Sequence, residues 1–439
     1  MTLIRIRKGL NLPVKGSPSG DIKTIGNISE SALLGDDFPG LKPSMLVRAG
    51  DSVKKGQPVF TDRKNSGILY TAPVTGTVKA VNRGQKRKFL SMVFEKGAGE
   101  PVRFDTNVKD RQGALELLKN SGLLTAFRER PFAKCPNESR PPKAVFINCM
   151  DTRPLAPDMG VMLKGNEEYF VKGAGLITLL SDKTYVCSGI DVSLPELKGC
   201  DIRIFDGPHP AGLSGTHVHL LHPAAHGKTV WTVDMKDVID IGYLLTHGEL
   251  NETVRIALSG DFTEPCYVET LKGAPVKQVV SGLIKDDGAR LILGSVLYGF
   301  QVEEGVEHLS SCFAQVTALP ELKERYFFGW TTPRKDLFSV KNIFASAFAG
   351  KGGLKFDTSL NGAHRPMVPV GTYEKVMPLD ILPTHLLRSL IVGDLEMAEN
   401  LGCLELSEED LSLCTYVCPG KIDYAPILRE ALTEIEKEG

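Results

Sequence analysis

Short apolar stretches alternate with polar residues along residues 40–96, and glycine or proline separates them. The segment "VRAGDSVKKGQPVF" predicts a turn, a strand, a second turn and a second strand. The segment "ILYTAPVTGTVKAVNRG" predicts a strand that reaches Pro73, a turn at Gly76 and a further strand. Two half-similar hairpins of this kind predict a small β-sandwich.

The sandwich pattern resembles the biotinyl/lipoyl carrier fold, and residues 72–78, "APVTGTV", are its most specific part. Carriers of this fold hold a cofactor on a lysine at a hairpin tip, where this sequence offers Lys64 in "TDRKNSG". The M-K-M of biotin carriers is absent, and the flanking residues match lipoyl carriers poorly. Lys64 is therefore predicted to be a solvated turn residue, with cofactor attachment as the alternative.

The spacing of the apolar residues changes after residue 109. The segment "KDRQGALELLKNSGLLTAFRER" predicts a helix over 109–130, and residues 131–143 are proline-rich and predicted to be irregular. Beyond residue 144, "AVFIN" and "DIRIF" are typical of buried parallel strands, and "DVIDIGYLLTHG" predicts a helix that stops at Gly248. The C-terminal part is helical, and Pro426 fits the first position of its last helix.

These patterns predict an α/β multidomain chain. Its parts are an N-terminal region at 1–100 with the biotinyl/lipoyl-like sandwich at about 40–96, a helix and proline-rich linker at 101–143, a Rossmann-like α/β domain at 144–253, a β-grasp-like domain at 254–330, and an irregular segment with a helical C-terminal domain at 331–439.

Composition narrows the function classes. The 439 residues carry a net charge of −1, which offers no basic field for nucleic acid. The nine cysteines are scattered and the N-terminus lacks an apolar signal region, so we expect reduced thiols and a cytosolic compartment. No apolar run approaches the roughly 18 residues that span a bilayer, so we expect membrane attachment only through a partner.

The densest polar cluster is "DGPHPAGLSGTHVHLLHPAAHG" (206–227), which holds five of the nine histidines. Histidine-rich tracts can bind zinc or copper, but no cysteine or carboxylate at ligand spacing completes a site here. The tract is therefore predicted to be a loop with exposed and capping imidazoles. In "KGAGLITLL", Gly173 and Gly175 are predicted to form a tight turn, with a phosphate cradle as the alternative.

Two cysteines near the C-terminus, in "SEEDLSLCTYVCPGK", suggest part of a cluster motif. Against the C-x2-C-x2-C-x3-C-P run of bacterial ferredoxins, Cys414 and Cys418 fit, but Glu408 and Leu411 stand where the other two cysteines belong. Ser407 with Asp410 predicts a helix N-cap pair. Cys414 and Cys418 are then predicted to lie one turn apart on that helix as small buried apolar residues, with a disulfide or a shared metal as the alternative.

The whole length resembles the A subunits of the bacterial Na⁺-translocating NADH:quinone reductase, the NqrA family. The most specific stretches are "RIRKGLNLPVKG", "GPHPAGLSGTH", "PTHLLRSLIVGDLEMAENLGCLELSEEDLSLCTYVCPGK" and residues 72–78. The chain is more distantly similar to the flavin subunit of respiratory complex I and to the C subunit of the Rnf complex. Those relatives bind FMN and NADH through three motifs and carry cluster cysteines near the C-terminus.

The resemblance implies that the flavin motifs are degenerate here. The glycine-rich loop corresponds to residues 121–134 and keeps only Gly122, while Leu123, Leu124 and Phe127 would block a phosphate. In "NCMDTRP", Arg153 stands where the relatives have their second acidic residue. In "HPAGLS", Ser214 stands where the relatives have an acidic residue. The remnants of the flavin pocket are Gly122, Asn148, Asp151, Pro154, Pro210 and Gly212. Without these motifs, no cofactor is expected to bind tightly to this chain.

The resemblance further implies a peripheral translocase subunit on the cytoplasmic side of the inner membrane. Its expected partners are the other subunits, which would hold FAD, FMN, riboflavin and the iron–sulfur centre, and ubiquinone as substrate. In "RERPFAKCP" an aromatic side chain among basic neighbours could pack on a flat ring. The hypothetical quinone-binding residues are Phe127, Arg130, Pro131, Phe132 and Lys134, and no residue is assigned a catalytic role. The alternatives are a domain linker with one anchoring phenylalanine and a non-catalytic docking subunit whose complex binds quinone elsewhere.

Overall fold

The computed structural model describes residues 2–322, 334–348 and 353–438, so the predicted domain boundary at 330 lies outside the described residues. In chain order the described strands are β1 (Thr2–Arg5), β2 (Ile22–Thr24), β3 (Glu30–Leu34), β4 (Pro43–Met45), β5 (Ser52–Val53), β6 (Pro58–Asp62), β7 (Asn65–Thr71), β8 (Gly76–Arg83), β9 (Phe89–Lys96), β10 (Arg128–Arg130), β11 (Ala144–Cys149), β12 (Thr184–Gly189), β13 (Asp201–Asp206), β14 (Val230–Asp234), β15 (Thr253–Gly260), β16 (Cys266–Leu271), β17 (Arg290–Gly294), β18 (Gly299–Gln301) and β19 (Gln315–Leu319).

The described helices complete the mixed α/β architecture. They are α1 (Arg111–Ser121), α2 (Met159–Leu163), α3 (Glu167–Ile177), α4 (Ser214–Leu221), α5 (Met235–His247), α6 (Val276–Val279), α7 (Tyr373–Val376), α8 (Pro383–Val392), α9 (Leu395–Asn400), α10 (Ser412–Val417) and α11 (Tyr424–Glu438). None of them combines the length and the apolar character that a bilayer crossing requires.

The predicted sandwich is present, and it begins earlier than the hairpin pattern indicated. A four-stranded sheet in the order β3-β9-β8-β5 packs with a three-stranded sheet in the order β4-β6-β7. The first strand starts at Glu30 because its alternating residues, including Ala32 and Leu34, bury one face against the sandwich core. Lys64 is exposed at the turn between β6 and β7, as predicted.

The α/β domain contains a six-stranded sheet in the order β1-β13-β12-β11-β14-β10. All neighbours run parallel except β10 and β14. Strands β11 and β12 are buried at every residue, as expected for a parallel sheet covered on both faces. The predicted helix that ends at Gly248 is confirmed as α5, with Gly248 in the left-handed conformation at φ 67°.

A second six-stranded sheet follows, in the order β18-β17-β19-β15-β16-β2. The N-terminal segment of the chain contributes to both large sheets. Strand β1 pairs in parallel with β13, and β2 pairs in parallel with β16. The first residues of the chain therefore complete the edges of sheets whose other strands lie far along the sequence.

Helices α3 and α5 cross closely, which overturns the predicted tight turn at Gly173 and Gly175. Both glycines lie inside α3. A Cβ at Gly173 would stand 2.0 Å from the carbonyl oxygen of Val238, and one at Gly242 would stand 1.7 Å from that of Tyr169. Gly173 and Gly242 therefore allow the two backbones to touch and serve packing, whereas a Cβ at Gly175 would meet open space.

The histidine tract and the first helix also differ from expectation. Residues 214–221 form α4, and His209 and His217 are buried, so the predicted exposed loop is wrong. The helix predicted over 109–130 ends at Ser121, because Gly122 takes a left-handed φ of 80° that terminates it. A 3-10 turn (Leu123–Ala126) and β10 follow.

The C-terminal helices enclose a core of their own, built from α7 to α11. Pro426 lies at the third residue of α11 and not at the first. It is tolerated there because the first turn of a helix has no intrahelical acceptor for its amide groups. Phe132, from the proline-rich linker, is buried in this core.

Candidate functional site

A cavity of about 400 Å³ lies at the point where the strand order of the α/β sheet reverses. From β11 the chain proceeds to β12 and β13 on one side, whereas β14 lies on the other side of β11. Open α/β sheets bind ligands outside the carboxyl ends of the strands at such a switch point. Here Asn148 lies at the end of β11 and Asp151 and Arg153 follow it. Asp234 ends β14 and Lys236 follows it, and all five residues line the cavity.

The remaining walls come from four other parts of the chain. The sandwich contributes Phe38 and Tyr70, the linker contributes Arg128 and Arg130, and the C-terminal domain contributes residues 407–410. The second six-stranded sheet and its loops contribute residues 309–315 and an aromatic group. The cavity therefore exists only when all these parts are assembled.

The aromatic wall consists of Tyr298, Phe300 and Phe313. The ring of Phe313 lies 6.0 Å from that of Tyr298 and 5.6 Å from that of Phe300, both edge-on. Across the cavity, Phe38 meets Tyr70 at 4.7 Å. Flat apolar ligands pack on such rings in stacked or edge-on contact.

Arginines from outside the C-terminal domain lock it over the cavity. Arg153 binds Glu409 through two nitrogens, with Nη2 2.8 Å from Oε2, and its Nη1 lies 2.9 Å from Asp151 Oδ2. Arg130 donates from Nη1 to Asp410 Oδ2 at 2.8 Å. Asp151 and Glu409 hold the pKa of Arg153 well above its usual value despite its burial, so its charge is fixed.

The same acidic turn carries the predicted cap. Ser407 and Asp410 form a capping box around the 3-10 turn (Glu408–Leu411), which confirms the N-cap prediction. Glu408 pairs with Arg429 of α11, with Nη2 2.7 Å from Oε2. Each of the three successive acids, 408 to 410, thus binds an arginine from a different part of the chain.

Hydrogen bonds and an ion pair engage two further carboxylates of the cavity wall, Asp37 and Asp237. Asp37 accepts hydrogen bonds from the hydroxyl of Ser310 and from the amide of Ser311, the latter at 2.7 Å. Burial raises the pKa of Asp37, and these hydrogen bonds oppose the rise. Burial likewise raises the pKa of Asp237 to about 6, against the pull of Lys236.

Every basic side chain that lines the cavity is engaged by the protein. Arg128 donates to the carbonyl oxygens of Thr125 and Asp37, both at 2.7 Å. The other lining cations are Arg130, Arg153, Lys236, Arg255 and Lys272, and each forms an ion pair with a carboxylate. Ten acidic residues line the cavity against six basic ones. A phosphate would meet net negative charge and no unpaired cation among the lining residues.

Three polar groups on the wall lack partners. Arg130 and Gln315 are each only 4% exposed. The Nε of Arg130 and the Oε1 of Gln315 are buried and form no hydrogen bond. Among the described residues, Asp234 is the one lining carboxylate with no hydrogen bond or ion pair. Unsatisfied buried polar atoms cost free energy, so a ligand that bonds to them gains affinity.

Comparison with known proteins identifies the chain. Residues 4–97 match the NqrA N-terminal barrel-sandwich hybrid domain, residues 109–250 the NqrA second alpha/beta domain, and residues 255–304 the NQRA C-terminal domain. The A subunits of the Na(+)-translocating NADH-quinone reductases from Neisseria meningitidis serogroup B, Pasteurella multocida and Tolumonas auensis are 44% identical, and the alignments cover 100% of each chain. The chain belongs to the NqrA family.

Among solved structures, a chain of a NAD+-reducing [NiFe]-hydrogenase in the air-oxidized state aligns with 48% of this NqrA chain and 47% of its own length. The identity is 13% and the TM-score is 0.35, values too low to support an argument.

The residues that the resemblance predicted as flavin-pocket remnants converge at the cavity and just behind it. Gly122, Asn148 and Asp151 line the cavity. Behind the wall, Asn148 Nδ2 donates to the carbonyl oxygen of Gly212 at 3.1 Å, and the carbonyl oxygens of Pro154 and Pro210 accept from Gln315 and Thr216. A Cβ at Gly122 would stand 2.7 Å from Thr71 Oγ1, so this glycine serves contact with the sandwich.

Of the five residues predicted to bind quinone, one lies at the cavity. Arg130 lines the cavity, whereas Phe127, Pro131, Phe132 and Lys134 do not. Phe127 is buried against Trp231, with ring centroids 6.0 Å apart, and Phe132 is buried in the C-terminal core. Phe132 is therefore packed in a core and is not available to pack on a flat ligand ring, as the hypothesis required.

The aromatic wall was missed by sequence reasoning. Tyr298 and Phe300 stand two residues apart around the turn into β18, a spacing that places side chains on one face of an extended chain. That alternation was the available signal. Phe313 joins them only through the pairing of β17, β18 and β19.

The two C-terminal cysteines of the NqrA chain are buried in different settings. Cys414 lies inside α10, but Cys418 is its extended C-cap residue, so the prediction of one shared helix is wrong. Burial raises the pKa of Cys414 to about 12. Burial also acts on Cys418, but hydrogen bonds from Tyr373 and Tyr424 lower its pKa below the usual value. No group of metal-ligating side chains occurs within the described ranges.

Proposed function

We propose that this chain is the peripheral A subunit of a Na⁺-translocating NADH–quinone reductase and that its cavity binds the ring of a quinone. The proposal takes its substrate class from the relatives' name. The observation that carries it is the switch-point cavity itself, which combines an aromatic wall, fully neutralised cations and three unpartnered polar groups.

The chemistry of the cavity favours a neutral flat ligand over a flavin nucleotide. A quinone has no phosphate, so it needs no free cation. Its carbonyl oxygens match the unpartnered Nε of Arg130, and the hydroxyl groups of the reduced form match Gln315 Oε1 and the carboxylate of Asp234. Tyr298, Phe300 and Phe313 supply the rings on which the ligand packs.

The linker residues take supporting parts in this proposal. Arg130 contacts the ligand, and Phe127, Pro131, Phe132 and Lys134 hold the linker in place. Phe132 does so through the C-terminal core, and its carbonyl oxygen accepts from Arg429 Nη1 at 2.7 Å. Lys134 pairs with Glu436 at the end of α11.

The wider assignment follows the family resemblance. We propose that the chain sits on the cytoplasmic side of the inner membrane and docks onto other subunits that hold FAD, FMN, riboflavin and an iron–sulfur centre. We also propose that the α/β domain is Rossmann-like and related to the flavin subunit of complex I, and that the second six-stranded sheet is a β-grasp domain. The lost flavin motifs at Arg153 and Ser214 support this relationship.

Titration of the full chain with a short-chain ubiquinone analogue tests the ligand. We expect saturable one-site binding, no binding of FMN, and roughly a tenfold loss of affinity in Phe300→Ala, the equivalent of about 1.4 kcal/mol. The control Phe348→Ala removes an aromatic ring that is 85% exposed and does not line the cavity, so it should bind like the parent chain.

Two results would contradict the proposal. Binding that never saturates would favour the alternative, a docking subunit whose complex binds quinone elsewhere. Equal affinity of Phe300→Ala and Phe348→Ala would place any quinone site outside this cavity. An intact mass that exceeds the sequence mass by a biotinyl or lipoyl group would instead support cofactor attachment at Lys64.

A further inference from the structure

A second concavity lies on the outside of the sandwich. It is open, has a volume of about 660 Å³, and is bordered by basic side chains that we call the basic rim. The basic rim consists of Lys42, Arg63, Arg83, Lys86, Arg87 and Lys88, all exposed. These residues come from the segment before β4, from the β6–β7 turn and from the β8–β9 turn, so two hairpin tips present their charges together.

The charges of the basic rim are largely unopposed, in contrast to those of the quinone cavity. Lys88 pairs with Asp36 at 2.6 Å, and Arg83 donates to the carbonyl oxygen of Arg87 at 3.4 Å. The side chains of Lys42, Arg63, Lys86 and Arg87 form no ion pair with any described residue. The nearby carboxylate of Asp62 accepts from the backbone amides of Lys42 and Lys64.

The asymmetry extends to the whole sandwich. The sandwich, residues 30–96, contains twelve Lys and Arg against six Asp and Glu, a net charge of +6, although the complete chain has a net charge of −1. The net charge of the complete chain therefore conceals the positive charge of this region. A field of this size attracts anionic surfaces over about a Debye length, roughly 8 Å at physiological salt.

The backbone of the β8–β9 turn holds two rim residues in an unfavourable conformation. Lys86 and Arg87 have φ angles of 51° and 61°, in the left-handed region that normally favours glycine. Asparagine or glycine would be the easier choice at such positions. Two cationic side chains stand at the tip despite the backbone preference, as residues retained for an interaction would.

We propose that the basic rim binds the headgroups of anionic phospholipids and orients this peripheral subunit on the membrane surface. Protein interfaces normally contain an apolar centre. The aromatic residues beneath the rim, Phe38 and Phe89, are only 7% and 6% exposed, so the surface offers charge and little apolar area. A diffuse layer of lipid phosphates matches such a surface better than a protein partner does.

The proposal rests on the proposed peripheral placement and is independent of the quinone cavity. Sedimentation of the full chain with vesicles tests it, with phosphatidylcholine alone compared with phosphatidylcholine plus phosphatidylglycerol. We expect binding only with phosphatidylglycerol and a steep loss with added salt. Each basic residue at such a surface contributes about fivefold in affinity, so Lys86→Glu with Arg87→Glu should weaken binding at least ~25-fold.

The control variant Lys198→Glu with Lys277→Glu makes the same change in net charge at exposed sites on the two other domains. We expect it to bind within about twofold of the parent chain, because its charges lie outside the basic rim. An equal loss in both variants would reduce the effect to net charge and would overturn the proposal.

Other outcomes also decide the matter. Vesicle binding without dependence on phosphatidylglycerol would overturn the proposal. So would a rim variant that keeps vesicle binding but loses its affinity for the membrane subunits of the reductase, because the rim would then contact protein. If quinone titration saturates while vesicles fail to bind, the rim proposal falls and the proposed function stands.

Discussion

Two regions of this chain, the switch-point cavity and the C-terminal cysteine segment, differ in how they are filled. The switch-point cavity is a hollow of about 400 Å³. The C-terminal cysteine segment is solid core, where Cys414 and Cys418 are 1% and 0% exposed. Tyr373 and Tyr424 fill the space beside Cys418, and their hydroxyl groups are 3.0 Å apart.

The difference follows from how each region is built. The cavity wall comes from five parts of the chain, and the side chains of no single part fill the gap between them. The cysteine segment lies within one set of helices, whose side chains pack around it at the density of a protein core. The junction between domains therefore keeps a cavity, whereas the interior of a single domain is filled.

The prediction with the largest expected effect removes an arginine that joins the C-terminal domain to the cavity wall. Arg153→Ala leaves the largely covered carboxylates of Asp151 and Glu409, 12% and 15% exposed, without their common partner, so we expect it to destabilise the chain by about 3 kcal/mol. Chemical denaturation with parallel near- and far-UV detection measures the loss. Arg203→Ala is the control, since Arg203 pairs with the half-exposed Asp201 and should cost at most about 1 kcal/mol.

If Arg153→Ala and Arg203→Ala cost the same, the acidic turn does not depend on its arginines for stability. The cavity would then be closed by the other contacts of the acidic turn, including the ion pairs of Arg130 and Arg429.

The second test uses acid to probe the wall that carries α4. His217 is buried beside Phe205, and burial lowers its pKa to about 4. The unfolded chain takes up this proton near pH 6.5, so the folded state loses stability as the pH falls from about 6.5 to 4. The change reaches about 1.4 kcal/mol per pH unit, or roughly 3 kcal/mol over the window.

His217→Gln should remove that part of the slope, because glutamine can still donate to the carbonyl oxygen of Ala211 that His217 Nε2 contacts at 2.8 Å. Urea denaturation of both proteins from pH 7.5 to 4 gives the difference curve. The curve should be flat above pH 6.5. A difference curve that is flat throughout would show that His217 does not control the acid response.

The third test compares the cavity directly with the C-terminal core. Ala398 is fully buried in the C-terminal core, so Ala398→Leu should cost about 1–3 kcal/mol through overpacking. Ala126 lines the cavity, where a larger side chain finds space, so Ala126→Leu should change stability by no more than about 0.5 kcal/mol. Thermal and urea denaturation measure both. Equal costs for the two variants would contradict the distinction between the regions.

The smallest test concerns the polar contacts inside the solid region. Tyr373→Phe removes the hydroxyl that lies 3.2 Å from Cys418 Sγ and 3.0 Å from Tyr424, at an expected cost of about 1 kcal/mol. It should also raise the pKa of Cys418, since that hydrogen bond is one of the influences that lower it. Ultraviolet titration of the thiolate in a variant with the other cysteines replaced follows the shift. An unchanged pKa would show that the Tyr373 hydroxyl does not stabilise the thiolate.

The sequence predicted those features that depend on neighbouring residues. Gly and Pro spacing indicated the sandwich hairpins, Gly248 marked the end of α5, and Ser407 with Asp410 indicated the capping box. Each is decided within a few residues by backbone conformation or by a local hydrogen bond. That information is present in any short window of the chain.

The features that sequence reasoning missed depend on contacts between distant residues. Gly173 was expected in a turn because its role, contact with the carbonyl oxygen of Val238, requires knowledge of the neighbouring helix. Phe132 was expected to bind quinone from an irregular segment because its burial depends on helices about 240 to 300 residues later. The cavity was anticipated at its flavin-motif remnants, but its aromatic wall comes from Tyr298, Phe300 and Phe313, which no motif marks.

The pairing of the N-terminal strands has a consequence for biosynthesis. Strand β1 finds its partner only when residues 201–206 have been made, and β2 must wait for residues 266–271. At about 5–20 residues per second, translation separates β1 from its partner by roughly 10–40 s. During that time the first strands are exposed as unpaired edges on the growing chain. We therefore expect nascent chains that stop before residue 206 to need chaperone protection, and N-terminal fusions to slow maturation more than C-terminal ones.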